Sequence, residues 1–530
     1  MAVPQNNSND ERWNNFTVTD ADLQDLLAYL FETETPLPIE SLARILVQNR
    51  LERERKALEE RQKTLGKVYL PKEQYTPGEQ ITFPNLDWKS GTVSAARQGN
   101  NPEIGEFKVI TVEFEDGEKR EFAAELAEHP LNTQRNKVDS SDDQTVETVL
   151  KTYGADIRKK LRVALEEQSD IVRIGGTWFP KSLLIDINQG YLNLAEALLD
   201  AQKGGPMSPE ELLKQMELDQ TDNLKLLEFS LNYAMQEDPR FDEVGTSGKI
   251  AWFLRRFEPE EVREVPLYLR VEPEVTEITE LPEISEDTLK MILSLNDELT
   301  LSEIPEPEEQ INQTSIVLNY PHWRTGTLPI TSATAQIFPT ALETEHVKFT
   351  LVDAQNDEKI SAWVVRPHRY VFGLRDWFER QNLIPGSIIE IAATEDPGVV
   401  KIVPQKKRSN KEWIKTVLVG ADGGLVIALL RQPIYAGIHD RMAIAIPDVA
   451  SLDNLWNQRR SKNISLKSDV KRMMAELSKL DNQRHVHFID LYASINVIRR
   501  TPPFDLLAVL SKSSEFIHVG DNYYNLAETD

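Results

Sequence analysis

His485 and His487 stand two residues apart with Asp490 close behind, a spacing that on a strand puts two imidazoles on one face, as in half of a metal site. No third ligand is clustered with them, so a structural role is expected and no metal is. Glu106-Phe107-Lys108, after Pro102-Glu103, has the Glu-x-Lys spacing of metal-dependent nucleases. That pattern is loose, and on an expected strand it reads as barrel structure. In GTSGKI, Glu243 occupies the place of the first glycine of a phosphate loop, and GADGG from Gly420 lacks the Lys-Ser or Lys-Thr that should follow. Both read as turns. There is no G-x-S-x-G and no Cys, which excludes a nucleophile elbow, thiol chemistry, disulfides and thiolate metal sites. No catalytic residue and no cofactor is expected, so the chain reads as a binding protein rather than an enzyme.

The cations are more informative, because phosphate recognition requires clustered Lys and Arg. Three groups stand out in the C-terminal half. Arg366, His368 and Arg369 follow a β-rich run; Lys406, Lys407 and Arg408 lie in QKKRSNKEWIK with Glu412 as its single acid; Lys467, Lys471 and Arg472 lie on the helix SLKSDVKRMMAEL. The second group reads as a basic loop between domains, for phosphate contact or simply as a flexible linker. The third puts Lys467 and Lys471 at i, i+4 on one face, for phosphate or for solvent. Trp413 and Trp456 are candidates for base stacking, against the more ordinary alternative of a place in the core.

A net charge of −26 over 530 residues argues against a surface that coats nucleic acid indiscriminately, yet the charge is unevenly placed. Residues 258–310 hold 17 acids against three bases, a net of −14, along with six prolines. That composition predicts an acidic, extended linker with one short helix around Asp287 to Leu295. Residues 311–530 hold 26 bases against 24 acids, so nucleic-acid contact is expected there. The expected partner is double-stranded DNA, and the acidic first half suits an RNA polymerase or another basic-surfaced protein. No run long enough to span a membrane occurs and the N-terminus lacks signal-peptide features, so a cytoplasmic protein is expected. The alternative is a protein-interaction scaffold with no direct nucleic-acid contact.

The elements that must hold these residues predict an α+β multi-domain chain. A disordered tail over 1–19 precedes a helix-turn-helix-like segment over 20–66, in which Leu23, Leu26, Leu27 and Leu30 share a face and Thr19 or Asp20 caps. Short alternating runs over 75–130, with Asp116-Gly117 as a hairpin turn, predict a small barrel. YTPGEQITF, WKSGTV and VEFEDGEKREF resemble SH3-like barrels of the Tudor or KOW kind. Over 146–257, GGPMSPEELLK has Ser208 and Glu211 as a capping box and leads to RFDEVGTSGKIAWFL, the outline of a winged helix. PLPIESLARIL at Pro36 repeats the first motif and EFIHVGDNYYNL at Glu515 repeats the second. These motifs resemble the winged-helix domain shared by the delta subunit of bacterial RNA polymerase and several chromatin and restriction-system proteins, and imply tandem winged helices. Residues 311–405 predict a β pseudobarrel; FGLRDWFERQNLIPGSIIEI is similar to the B3-type DNA-binding pseudobarrel, which implies groove contact by Arg366, His368 and Arg369. A helical, winged-helix-like domain is expected over 411–527.

Overall fold

The computed structural model describes residues 13–64, 67–83, 86, 89–100, 106–114, 117–133, 145–218, 223–272, 284–301, 310–420 and 424–527. Residues 1–12, the Pro102-Glu103 pair, Asp116 of the expected Asp-Gly turn and the 421–423 turn lie outside these. The chain is α+β and divides into two compact units, 1–184 and 185–530.

In the first unit, α1 (Asp20–Thr33) begins at Thr19, whose hydroxyl accepts the Asp22 N–H while Asp22 accepts the Thr19 N–H in return. Asp22 is buried. Burial alone would raise its pKa, but hydrogen bonds from Arg50 and Thr19 hold it well below the usual carboxylate range. Arg50 and Arg53 both donate to Asp22 and so tie α1 to α2 (Ile39–Thr64). Trp13 and Phe16, expected in a disordered tail, stack at 5.8 Å and are buried, with Arg50 over the Phe16 ring. Between the helices, β1 (Leu37–Pro38) is a two-residue strand. The chain then forms a five-stranded sheet in the order of the sequence, β2 (Lys67–Val68), β3 (Gln80–Phe83), β4 (Lys89–Gln98), β5 (Lys108–Phe114) and β6 (Lys119–Ala124). Its core is Tyr75, Ile81, Phe83, Val93, Ile110, Val112 and Phe114. After it, α3 (Val146–Glu166) leads to the hairpin of β7 (Ile171–Ile174) and β8 (Thr177–Pro180), and β8 pairs back with β1.

The second unit opens with α4 (Gln189–Ala201), α5 (Pro209–Gln215) and α6 (Leu224–Gln236). The capping box expected at Ser208 and Glu211 is present at the start of α5. The hairpin of β9 (Phe241–Glu243) and β10 (Trp252–Leu254) follows, and Met207 bridges Trp252. Leu192, Leu199, Leu212, Leu231 and Trp252 fill this core.

The acidic segment departs from an extended tether wherever it is described. Val262 and Leu269 are buried, and α7 (Glu286–Ser294), close to the expected short helix, is followed by buried Asp297 and Glu298. Arg500 donates to both Asp297 oxygens at 2.7 and 2.8 Å and to Glu298 at 2.8 Å, while His322 Nε2 lies 2.9 Å from Glu298. The carboxylates are neutralised inside the fold instead of repelling one another in water.

Next comes a seven-stranded sheet, ordered β11 (Gln313–Val317), β16 (Ile388–Ala393), β17 (Val399–Pro404), β13 (His346–Asp353), β14 (Lys359–Val365), β15 (Tyr370–Phe372) and β12 (Thr327–Pro329). It curls almost into a barrel around Ile316, Leu351, Val364, Val371, Ile391 and Ile402. Helix α8 (Tyr320–Thr325) lies between β11 and β12, and α9 (Arg375–Arg380) buries Trp377 and Phe378. Gly386 takes φ +93° just before β16, where a Cβ would come within 2.4 Å of Ala443 Cα, so only glycine fits.

The segment 406–410, expected as a loop, is strand. It begins β18 (Lys406–Val419), which pairs with β19 (Leu425–Ala436) at Lys406 and again from Asn410 onward, with a bulge between; β20 (Ile444–Ala445) adds on its other side. The cause is the partner strand LVIALLRQPIYA, which gives Lys406 and the residues from Asn410 onward a ladder to join on either side of the bulge. The remainder is α10 (Val449–Lys462), α11 (Leu466–Leu477), β21 (Val486–His487), α12 (Phe488–Ile498), α13 (Pro503–Lys512) and the hairpin of β22 (Phe516–Gly520) and β23 (Tyr523–Leu526), with β23 pairing back to β21.

Candidate nucleic-acid interface

The β18–β19 ribbon controls which cations face outward. Cross-strand partners share a face, so Lys411, Trp413 and Lys415 sit beside Pro433, Arg431 and Leu429. Farther along the same face Val417, Leu425 and Ile427 enter the core and anchor the ribbon. Trp413 is 67% exposed and Tyr435 is exposed, whereas Trp456 is buried with its indole N–H on Val497 O.

At the base of the ribbon is a hollow of about 580 Å³. Its cations are Arg380, Lys406, Lys407 and Arg408; Gln355, Gln381, Asn382 and Gln405 add amides, Tyr435 an exposed ring and Pro404 an edge, and no carboxylate lines it. Arg380 pairs with Glu358 and Lys407 with Glu412, each at 2.6 Å, which leaves the charge of Lys406 and Arg408 directed to solvent. Cations interleaved with amide donors and one ring suit a phosphate-linked ligand.

The other two expected groups are placed elsewhere. Arg369 donates to the carbonyls of Glu298 and Leu301, Arg366 donates to Thr344 O, and His368 lines a separate hollow with Leu269 and Leu301. This arginine pair holds backbone. Lys467 and Lys471 both pair with Glu515 at 2.6 Å, and Arg472 beside them is exposed. Their helix, α11, precedes β21, and α12 and α13 follow it.

One cationic face went unread in the sequence. Helix α3 buries Val149, Ile157, Leu161 and Leu165, while Lys151, Lys159 and Arg162 are exposed and Arg158 half-buried, at spacings that keep them on one side. Helices α6 and α13 carry only Lys225 and Lys512. The signal was present in IRKKLR, hidden by an acidic total for the N-terminal half.

His485 and His487 line a hollow of about 470 Å³ with Lys415, Arg441, Asp490 and Tyr523. Lys415 and Arg441 both donate to Asp490, and Arg441 also donates to Tyr523. His487 caps α12: its Nδ1 accepts the Ile489 N–H at 3.1 Å. Burial, then the nearby Arg441, pushes this imidazole down to about 4. His487 thus serves as a helix cap.

Among the described residues, three ligand-type groups come together in one place, Asp242, Glu258 and His346. Burial, then the facing Asp242, pushes Glu258 up to about 8. Asp242 and His346 are 104 residues apart, so no local spacing marks them. No family model, curated protein or solved structure matches this chain.

Proposed function

We propose that this chain is a non-enzymatic, DNA-associated or transcription-associated protein built on three winged-helix units, contacting nucleic acid through its C-terminal half. The observation that carries the reading is the acid-free hollow of Arg380, Lys406, Lys407 and Arg408 beneath exposed Tyr435. The architecture supports it through repetition. Three times, a helix, a short extended segment, two further helices and a hairpin follow one another, and the extended segment pairs with the last strand, as a two-residue strand twice and as a single bridge once: Leu37 with Trp178, Val486 with Tyr524, and Met207 with Trp252. In the first copy an SH3-like module is inserted between the second and third helices. The seven-stranded sheet is the B3-like element of this reading.

The test is fluorescence anisotropy of labelled duplex and single-stranded oligonucleotides with the full chain over a salt series. The triple substitution Lys406→Ala, Lys407→Ala, Arg408→Ala is expected to weaken binding at least about tenfold and to flatten the plot of log K against log salt by about 2. Equal affinity and slope in wild type and variant would remove the hollow from the interface, and absence of binding at low salt would end the proposal. A second reading, a protein-interaction scaffold, is favoured by the exposed Trp413, Leu429 and Tyr435 on the ribbon. It expects partners that survive nuclease treatment, ignore the triple substitution and are lost with Trp413→Ala.

A further inference from the structure

The backbone brings Asp242, Glu258 and His346 together from three segments of the second unit. Asp242 is in the middle of β9, Glu258 lies four residues beyond β10, and His346 opens β13. His346 Nδ1 is 2.9 Å from Asp242 Oδ2 and 4.0 Å from Glu258 Oε2, and the three ligand atoms all lie within 4.8 Å of one another. The Glu258 side chain is completely buried, and neither of its oxygens has a hydrogen-bond partner. A buried carboxylate without donors is costly and calls for a compensating positive species. Asp242, which faces it, is another carboxylate. Arg255 pairs with the Asp242 oxygen that does not face His346, at 3.5 Å, and it and Arg263 act on Glu258 only through space.

Two carboxylates that face each other, with an imidazole nitrogen beside them, are joined either by a proton or by a cation. Ligands about 2.1 Å from a tetrahedral ion stand about 3.4 Å apart. His346 Nδ1 is at hydrogen-bonding distance from Asp242, 2.9 Å, and 4.0 Å from Glu258, so the two separations bracket that value and small shifts would admit an ion. A shared proton would account for the two carboxylates alone and would require no histidine facing both. We propose that Asp242, Glu258 and His346 form a divalent metal site that fastens the β9–β10 hairpin to the start of β13, the central strand of the seven-stranded sheet. One nitrogen and two oxygen donors suit Zn²⁺ ahead of Mg²⁺ or Ca²⁺, which prefer all-oxygen shells. Two carboxylates also neutralise the ion. The same residues lie where β9 meets β13, so binding would rigidify the join, and Thr344 reinforces it by donating to Glu243 O.

The experiment uses the full chain, stripped with chelator and titrated calorimetrically with Zn²⁺ alone. The expected result is one bound equivalent that raises Tm, and that is missing from both His346→Ala and Glu258→Gln. Co²⁺ added to the wild type gives a reading independent of any variant: a visible absorption band of tetrahedral intensity is expected. Three outcomes would overturn the site. They are absence of both Zn²⁺ heat and a Co²⁺ band in the wild type, full retention of the bound ion in both variants, or a metal-independent rise in Tm of Glu258→Gln, which marks a shared proton.

Discussion

A single imidazole illustrates how a residue's neighbours decide its chemistry. His487 resembled half of a metal pair, but its Nδ1 is occupied as an acceptor at the start of α12 and Arg441 and Lys415 stand near it. Its folded pKa of about 4 is below the ordinary 6.5, so between those values the unfolded chain binds a proton that the folded chain does not. The stability this contributes is complete above about pH 6.5 and is lost as pH falls toward 4. His487→Asn, which caps without titrating, is expected to flatten the urea midpoint against pH over that window; equal slopes in both proteins would contradict the assignment. Arg500 shows the opposite extreme. It is fully buried against Asp297 and Glu298, and Arg500→Met would leave Asp297 without a cation and Glu298 with His322 alone. A loss of about 3–5 kcal/mol is expected from equilibrium denaturation, well above the cost of removing an exposed pair. Asp22, with Arg50 and Arg53 upon it, follows the same logic in the first unit.

At the scale of elements, the sequence was most readable where its signals were local. The α4–α5 pair with its Ser208 and Glu211 box, the helix at Thr19 and the β9–β10 hairpin each declare themselves within about fifteen residues. It was least readable where partners are distant. β1 is two residues long and finds β8 only after the five-stranded sheet has intervened, so no local signal connects the first hairpin to the first helices. Asp297 and Glu298 read as tether because their neutralising Arg500 lies more than 200 residues away. The basic run 406–408 read as a loop because strand pairing depends on β19 as much as on itself. Helix α3 is the element with the clearest untested consequence. It occupies the third-helix position that enters the major groove in the winged-helix reading, and it exposes Lys151, Lys159 and Arg162 where α6 and α13 expose none of comparable density. With contact made through the C-terminal half, Lys151→Glu with Lys159→Glu is expected to leave duplex affinity unchanged. A loss of about tenfold with an unchanged circular dichroism spectrum would add α3 to the interface and overturn that restriction.

At the scale of the whole molecule, charge acts through distance. Residues 185–257, 258–310 and 311–530 carry −6, −14 and +2, so the second unit is −18 even though its hollow at Lys406–Arg408 is free of acids. A compact unit of its length has a radius of gyration of about 20 Å. At roughly 10 mM salt the screening length is about 30 Å, so a phosphate backbone approaching the hollow experiences the whole unit and is repelled. At roughly 150 mM it is about 8 Å, and only the nearby cations are felt. The affinity should therefore fall with salt, because contacts to phosphate are replaced by counterions, while the association rate should rise about two- to threefold between those two conditions. Dissociation must then accelerate by more than the affinity alone suggests. Stopped-flow mixing of the full chain with labelled duplex separates the two rates. An association rate that falls steadily from 10 mM upward, as for a basic protein, would mean that the acidic residues lie too far from the approach path to act on it.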